Sequence, residues 1–403
     1  MGRVMNVRGP APNGPRQGPP LTRLERASGA AVGTQPGRAP VGAHRRGVSA
    51  RQALEEALAR ALQRSPCVVS FSGGRDSSAM LALATLVARR EGLPLPIPGT
   101  FRFPEVASTH ENEWQELVIA HLGLEDWERM DLTTELDLLG DVARECLTNH
   151  GLCWPPNTYL HVPIFRVAQG GTVVTGLDGD GLFGDWKWCH AQSVLHRLTP
   201  FERRDVIRIG FSFAPAPVRR QAFARRRHFV PDWLLPEFQR DFLTAVIDRE
   251  VEEPRRWDRR VGWHAGARAL HLCMESLSVI ASDYDVEVAH PLLDPVFLRA
   301  LADEGGAAGF GDRTAVMHHL FGDLLPPETV ARPTKAEFGG AVWQENAREF
   351  ARNWDGTGVD LAMVNADLLR RAWSADNPVI HSWTSLHAVW LASQEASRTA
   401  PLG

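Results

Sequence analysis

The chain has 403 residues, 44% of them hydrophobic and 23% charged, with a formal net charge of −4. That balance fits a globular protein of two or three units with a real core and disfavours a general binder of nucleic acid or anionic membrane. No run approaches the ~20 apolar residues of a membrane span, and no apolar block marks a secretory signal. The five cysteines contain no Cys-x-x-Cys pair, which argues against a disulfide framework or structural zinc and fits a reducing cytoplasm. Only Lys187 and Lys335 are lysines among 44 Lys plus Arg. A lysine in so arginine-rich a chain is a candidate for work that needs a compact, mobile ammonium rather than a planar guanidinium.

Residues 1–48 alternate Pro, Gly, Ala and Arg without apolar periodicity and are expected to be disordered. From Ala50 to Gln63 leucines recur at 54, 58 and 62, the spacing of an amphipathic helix. A strand is predicted over 67–72, a helix over 77–90, a second strand near 100–103, a helix over 111–122 and a third strand over 126–132. Helices over 136–149 and 158–169 precede a fourth strand at 171–176. Strand alternating with helix predicts a parallel, doubly wound α/β sheet, with ligands beyond the carboxyl ends of its strands. From about 190 strand signals vanish and helical spacing takes over, so 49–190 reads as a nucleotide-binding core and 191–395 as a mostly helical remainder. The cluster Arg219-Arg220 and Arg225-Arg226-Arg227 reads as a solvated helix face ahead of an RNA patch.

Two loops carry chemistry. The first runs Ser70-Phe71-Ser72-Gly73-Gly74-Arg75-Asp76-Ser77-Ser78 from the end of a strand into a helix. Adjacent glycines let backbone turn and approach a ligand, and the helix start offers free N–H groups to a polyanion. Ser72, Ser77 and Ser78 add hydroxyls, while Asp76 would repel phosphate directly and so suits Mg2+. The absence of Gly-Lys-[Ser/Thr] separates it from the Walker loop. The second loop is Thr175-Gly176-Leu177-Asp178-Gly179-Asp180-Gly181-Leu182-Phe183-Gly184, with Asp180 a second carboxylate at the same sheet edge.

The first loop resembles that of the PP-loop ATP pyrophosphatases. Both loops together resemble the synthetase domain of the asparagine synthetase family, which includes β-lactam synthetases and lasso-peptide macrolactam cyclases. Val286-Glu287-Val288-Ala289-His290-Pro291-Leu292-Leu293-Asp294 is similar to the family's Glu-x-x-x-Pro-Phe-Leu-Asp segment. The stretch 324–339, with Arg332-Pro333-Thr334-Lys335-Ala336-Glu337-Phe338, is similar to its Arg-x-x-Lys-x-x-Phe segment. The resemblance covers about 50–395 and implies ATP-dependent amide formation: an acyl-adenylate is attacked by an amine, releasing AMP and pyrophosphate. It implies that Ser72, Gly73, Gly74, Asp76 and Ser77 hold pyrophosphate and Mg2+, with Ser70 and Ser78 beside them. It further implies that Thr175 and Gly176 lie near ATP, that Asp180 is a Mg2+ ligand, and that Lys335 steadies the α-phosphate and the tetrahedral intermediate.

The departures shape the functional expectation. The family's glutaminase half has no counterpart in the chain, whose first cysteine is Cys67 inside the sheet. Ammonia would come from a separate glutaminase subunit, or the amine is something else. Leu177 stands where asparagine synthetases carry Glu, Gly181 replaces the Glu of the usual Asp-Glu pair, and Ala289 replaces an Arg. Asp178 is a candidate to take over proton transfer, and Glu287 reads either as a surviving base or as a structural partner for an arginine. The leading expectation is a ligase of specialised metabolism, such as one forming peptide macrolactams, joining a small-molecule or peptide carboxylate to an amine with a biosynthetic partner protein. Two others stand beside it: an asparagine synthetase using free ammonia or a separate glutaminase, and a degenerate nucleotide-binding scaffold.

Overall fold

The structure is a computed structural model that describes residues 16–35, 41–43, 45–184, 186–332, 336 and 338–399. A five-stranded parallel sheet lies at its centre, in the order β3-β2-β1-β4-β5. The strands are β1 (Cys67–Ser70), β2 (Ile97–Arg102), β3 (Glu128–Asp131), β4 (Thr172–Val174) and β5 (Glu287–Ala289). Strand order reverses between β1 and β4, which pair directly. Their carboxyl ends therefore flank the crevice in which doubly wound sheets bind ligands.

Both faces of the sheet are covered, which explains why its inner strands read as continuous apolar runs. Val69 and Val174 face one core with Leu54 and Leu58 of α2 (Ala50–Leu62) and with Met80 and Leu83 of α3 (Arg75–Glu91). Val68 and Val173 face the other, with Phe165 of α6 (Val162–Val167) and Leu147 of α5 (Asp141–His150). A further helix, α4 (Asn112–Leu122), lies between β2 and β3 in sequence. The two cores alternate along each strand because successive side chains point to opposite faces.

Two expectations need correction. Within 1–48, expected to be disordered, residues 23–28 form α1 (Arg23–Ser28), closed by a capping box between Thr22 and Glu25. Glu25 is buried and pairs with Arg268, so a distant partner supplies the stability that local composition hides. The second correction is β5, which comes from the stretch expected to be helical and pairs with β4 through Thr172↔Glu287 and Val174↔Ala289. Three residues are too few for alternation to show. The core reached by sequence as 49–190 is thus completed from beyond 190.

Among the described residues no helix is long and apolar enough to cross a membrane. The basic cluster is a solvated face, as expected: Arg220, Arg225, Arg226 and Arg227 are exposed, with Arg220 paired to Asp248, Arg219 over Trp188 and Arg226 over Phe223.

Candidate active site

At the crevice, one cleft of about 410 Å³ is lined by both loops, including Ser70, Ser72, Gly74, Asp76, Ser77, Thr175, Gly176, Asp178 and Asp180. The first loop is shaped by its own hydroxyls. Ser77 Oγ donates to the Gly74 carbonyl at 3.1 Å and accepts from the Ser72 amide at 3.2 Å. Ser72 Oγ lies 3.1 Å from Ser77 Oγ and accepts from the Gly74 amide at 3.3 Å. Gly73 sits at φ +84°, and a Cβ there would come within 2.9 Å of Gln115 Cγ. Only glycine enters that backbone region without penalty. The turn opens α3, whose first amides face the cleft end of the helix, a natural seat for a polyanion.

Arg332 braces the loop from outside. Its buried guanidinium donates to the Gly73 carbonyl at 2.9 Å, pairs with buried Glu111 and lies over the Trp114 ring. Arg75 turns away from the loop and donates through Nε to the Arg332 carbonyl at 2.6 Å.

The second loop is held by other elements. Gly179 starts α7 (Gly179–Phe183), and a Cβ on it would lie 2.2 Å from the Asp76 carboxyl carbon. The two loops therefore touch, and Asp76 rests against the backbone of Gly179. Arg313 bridges the carboxylates they carry: one nitrogen reaches both Asp76 oxygens at 2.8 Å, and the other pairs with Asp180. Burial alone would lower the Arg313 pKa, but Asp76 and Asp180 outweigh it and raise it.

Asp178 has φ +72°, rare for a residue with a Cβ. Its side chain is 8% exposed and accepts from His264 Nε2 at 2.8 and 3.1 Å. His264 occupies the space that a side chain at position 181 would need: a Cβ on Gly181 would fall 2.8 Å from its ring. The helix Trp257–Ala265 delivers His264 and, four residues earlier on the same face, Arg260. Arg260 is buried and donates to the carbonyls of Gly181 and Leu182 at 3.0 and 3.1 Å. It is steadied by Glu253, which also takes Lys187 at 3.0 Å. Lys187 therefore has a structural role beneath the second loop.

At the end of β4, Thr175 Oγ1 lies 2.7 Å from His290 Nδ1. Close packing, with a smaller contribution from neighbouring His161, pushes the His290 pKa down to about 4, so this histidine is neutral near pH 7. His161, lowered chiefly by burial, lines the cleft as well.

Three sequence candidates stand elsewhere. Glu287 begins β5, at the amino-terminal edge of the sheet, with its carboxylate largely exposed and 3.9 Å from Arg64. It is therefore away from the cleft, because strand direction puts the ligand end beyond Ala289. Ser78 is fully buried, and its Oγ has no hydrogen-bond partner among the described residues. Gly73 acts through its carbonyl behind the cleft wall. Lys335 lies outside the described residues. Missed by sequence reasoning were Arg313, His264, Arg260, Glu111 and His161. Arg260-x-x-x-His264 had a readable signal in its helical spacing, but nothing local pointed to its target.

The donor set suits Mg2+, which is commonly held by one or two carboxylates together with substrate phosphates. Asp76 and Asp180 supply hard oxygens converging on one cation-sized charge. Among the described residues no group of three or more His, Cys, Asp or Glu is placed to hold a metal ion. The sequence profile of the asparagine synthase family matches residues 49–396. The chain belongs to the asparagine synthase family. It is accordingly an ATP-dependent amide-forming ligase of that family, and its doubly wound sheet is of the PP-loop type. Comparison with curated proteins gives no match.

Proposed function

We propose that this family member activates a carboxylate as an acyl-adenylate, with release of pyrophosphate, and passes the acyl group to an amine with release of AMP. The observation that carries this reading is the convergence of Asp76 and Asp180, from two different strand ends, on one guanidinium at the switch point. Ser72, Ser77 and the amides opening α3 would hold pyrophosphate, and Asp76 with Asp180 would hold Mg2+. The metal, when bound, neutralises phosphate charge. Lys335 would steady charge at the α-phosphate, a kind of preorganised contact worth about 2.7–4 kcal/mol of barrier.

In the second half-reaction the amine nitrogen forms the C–N bond and the C–O bond to AMP breaks, the electron pair leaving with AMP. The proton released by the amine goes to Asp178, whose carboxylate His264 orients. The substrate is not a small acidic amino acid in this reading. Leu177, Leu277 and Phe338 form an apolar wall of the cleft, which favours a larger acceptor such as a peptide closing into a macrolactam.

Calorimetry of ATP binding with and without Mg2+ tests the site. Binding that needs Mg2+ and is lost in Asp76→Asn and Asp180→Asn supports it, and a panel of peptide carboxylates scored by AMP release then tests the chemistry. Absence of ATP binding by the unmodified protein would overturn the reading in favour of a scaffold. Lys335→Arg should lower turnover about 10²–10³-fold with an unchanged melting temperature.

A further inference from the structure

We propose that Arg313 is a phosphate-binding residue held in reserve on the metal carboxylates, so that Mg2+ enters this site only together with polyphosphate. The proposal rests on the reading of Asp76 and Asp180 as metal ligands.

Arg313 opens the helix Arg313–Phe321, whose N-cap Asp312 accepts from the Ala315 amide at 2.8 Å. The backbone of Arg313 is therefore fixed while its side chain reaches across the cleft. The guanidinium occupies both oxygens of Asp76 and one oxygen of Asp180. A planar fork can serve two carboxylates at once, which a point charge on a flexible stem does less well. Carboxylates held by one guanidinium repel one another unless a cation lies between them, and Arg313 supplies such a cation. A divalent ion needs the same oxygens, so ion and guanidinium exclude each other.

Free Mg2+ must displace Arg313 from the two carboxylates that compensate its charge. Its Nε is already buried without a hydrogen-bond partner among the described residues. Polyphosphate changes the balance. Arg313 lines the same cleft as Ser72, Gly74 and Ser77, and a bidentate guanidinium–phosphate contact replaces the carboxylates it gives up. The same residue thus opposes metal alone and favours metal with phosphate. Arg75 provides an internal comparison. It is a cation beside the same carboxylates, but its hydrogen bonds go to the Arg332 carbonyl and Thr314.

The test titrates the full chain with Mn2+ alone, read by electron paramagnetic resonance, and then with Mg2+ plus inorganic pyrophosphate, read by calorimetry. Arg313→Gln should bind Mn2+ at least tenfold more tightly than the unmodified protein and Mg2+–pyrophosphate at least tenfold more weakly. The Mn2+ gain should vanish when Asp76→Asn is added. Arg75→Gln should move Mn2+ affinity less than threefold, which separates direct occupancy from simple removal of positive charge. Arg313→Lys, which keeps the charge, should fall between the two if Arg313→Gln folds poorly. Unchanged Mn2+ affinity in both Arg313 variants, or unchanged pyrophosphate affinity, would overturn the proposal. Failure of the unmodified protein to bind Mg2+–ATP would count against the proposed function, whereas the Mn2+ result would still decide whether Arg313 guards the carboxylates.

Discussion

The two loops at the switch point look alike as sequence and are built differently. The first, residues 72–78, is closed by its own side chains, with Ser72, Gly74 and Ser77 bonded to one another, while Arg332 and Gln115 brace its Gly73 and Ser72 carbonyls from outside. In the second, residues 175–181, the Leu177 amide donates locally to Thr175 Oγ1. Its other side chains are held by residues far along the chain: Asp178 by His264, Asp180 by Arg313 and Thr175 by His290. A self-shaped loop brings its chemistry with it. A loop shaped from outside takes on whatever its surroundings supply, and here they supply a histidine against the bare backbone of Gly181.

That difference can be pressed at three points. The largest expected effect concerns His290. Its folded pKa of about 4 lies below the ordinary value of 6.5, so between those values the unfolded chain binds more protons. Stability is full above pH 6.5 and falls as the pH drops towards 4, by about 3 kcal/mol from this group. Urea unfolding at pH 7 and pH 4.5 should show a loss that His290→Gln reduces by about 2–3 kcal/mol, the remainder coming from other buried histidines such as His387, whose pKa burial also pushes down to about 4. An equal loss in both proteins would detach Thr175 and the second loop from this histidine.

Gly181→Ala comes next. Alanine normally favours a helix over glycine by about 0.5–1 kcal/mol, yet here its Cβ would meet Asp178 Oδ1 at 2.5 Å and the His264 ring at 2.8 Å. The clash should prevail and cost about 1–3 kcal/mol. In a His264→Ala background the cost should shrink, because the ring is gone and the Asp178 carboxylate it held can shift aside, so a double-mutant cycle should show coupling. Additive effects would mean that His264 does not fill the place left at 181.

The smallest effect is Gly73→Ala, expected to cost about 1–2 kcal/mol because φ is +84°. Here Gln115→Ala should give little relief, since the strain lies in the loop's own backbone. A full rescue would show that the first loop depends on its neighbours as much as the second.

The same contrast explains what could be read in advance. Strands β1 to β4 and helices α2 and α3 were legible because valine runs and leucine spacing are local signals. The loop that carries Ser72, Asp76 and Ser77 to the cleft was legible because a strand, two glycines and a helix start lie within a few residues. Glu287 was misplaced because a motif gives no strand direction, and three residues of β5 were too short to announce themselves. Helix α1 was missed because its anchor, the Glu25–Arg268 pair, joins positions far apart in sequence. His264 and Arg313 were invisible for the same reason: their meaning lies in the residues they meet.

The late arrival of β5 also bears on how the protein is made. About 110 residues separate the end of β4 at Val174 from the start of β5 at Glu287. At ~5–20 residues per second on the ribosome that interval lasts about 6–20 s. Throughout it, the backbone of Thr172–Val174 presents an unpaired apolar rim, the kind of surface that recruits other chains. Strand order, rather than the stability of the finished molecule, therefore sets how long that nascent rim stays open.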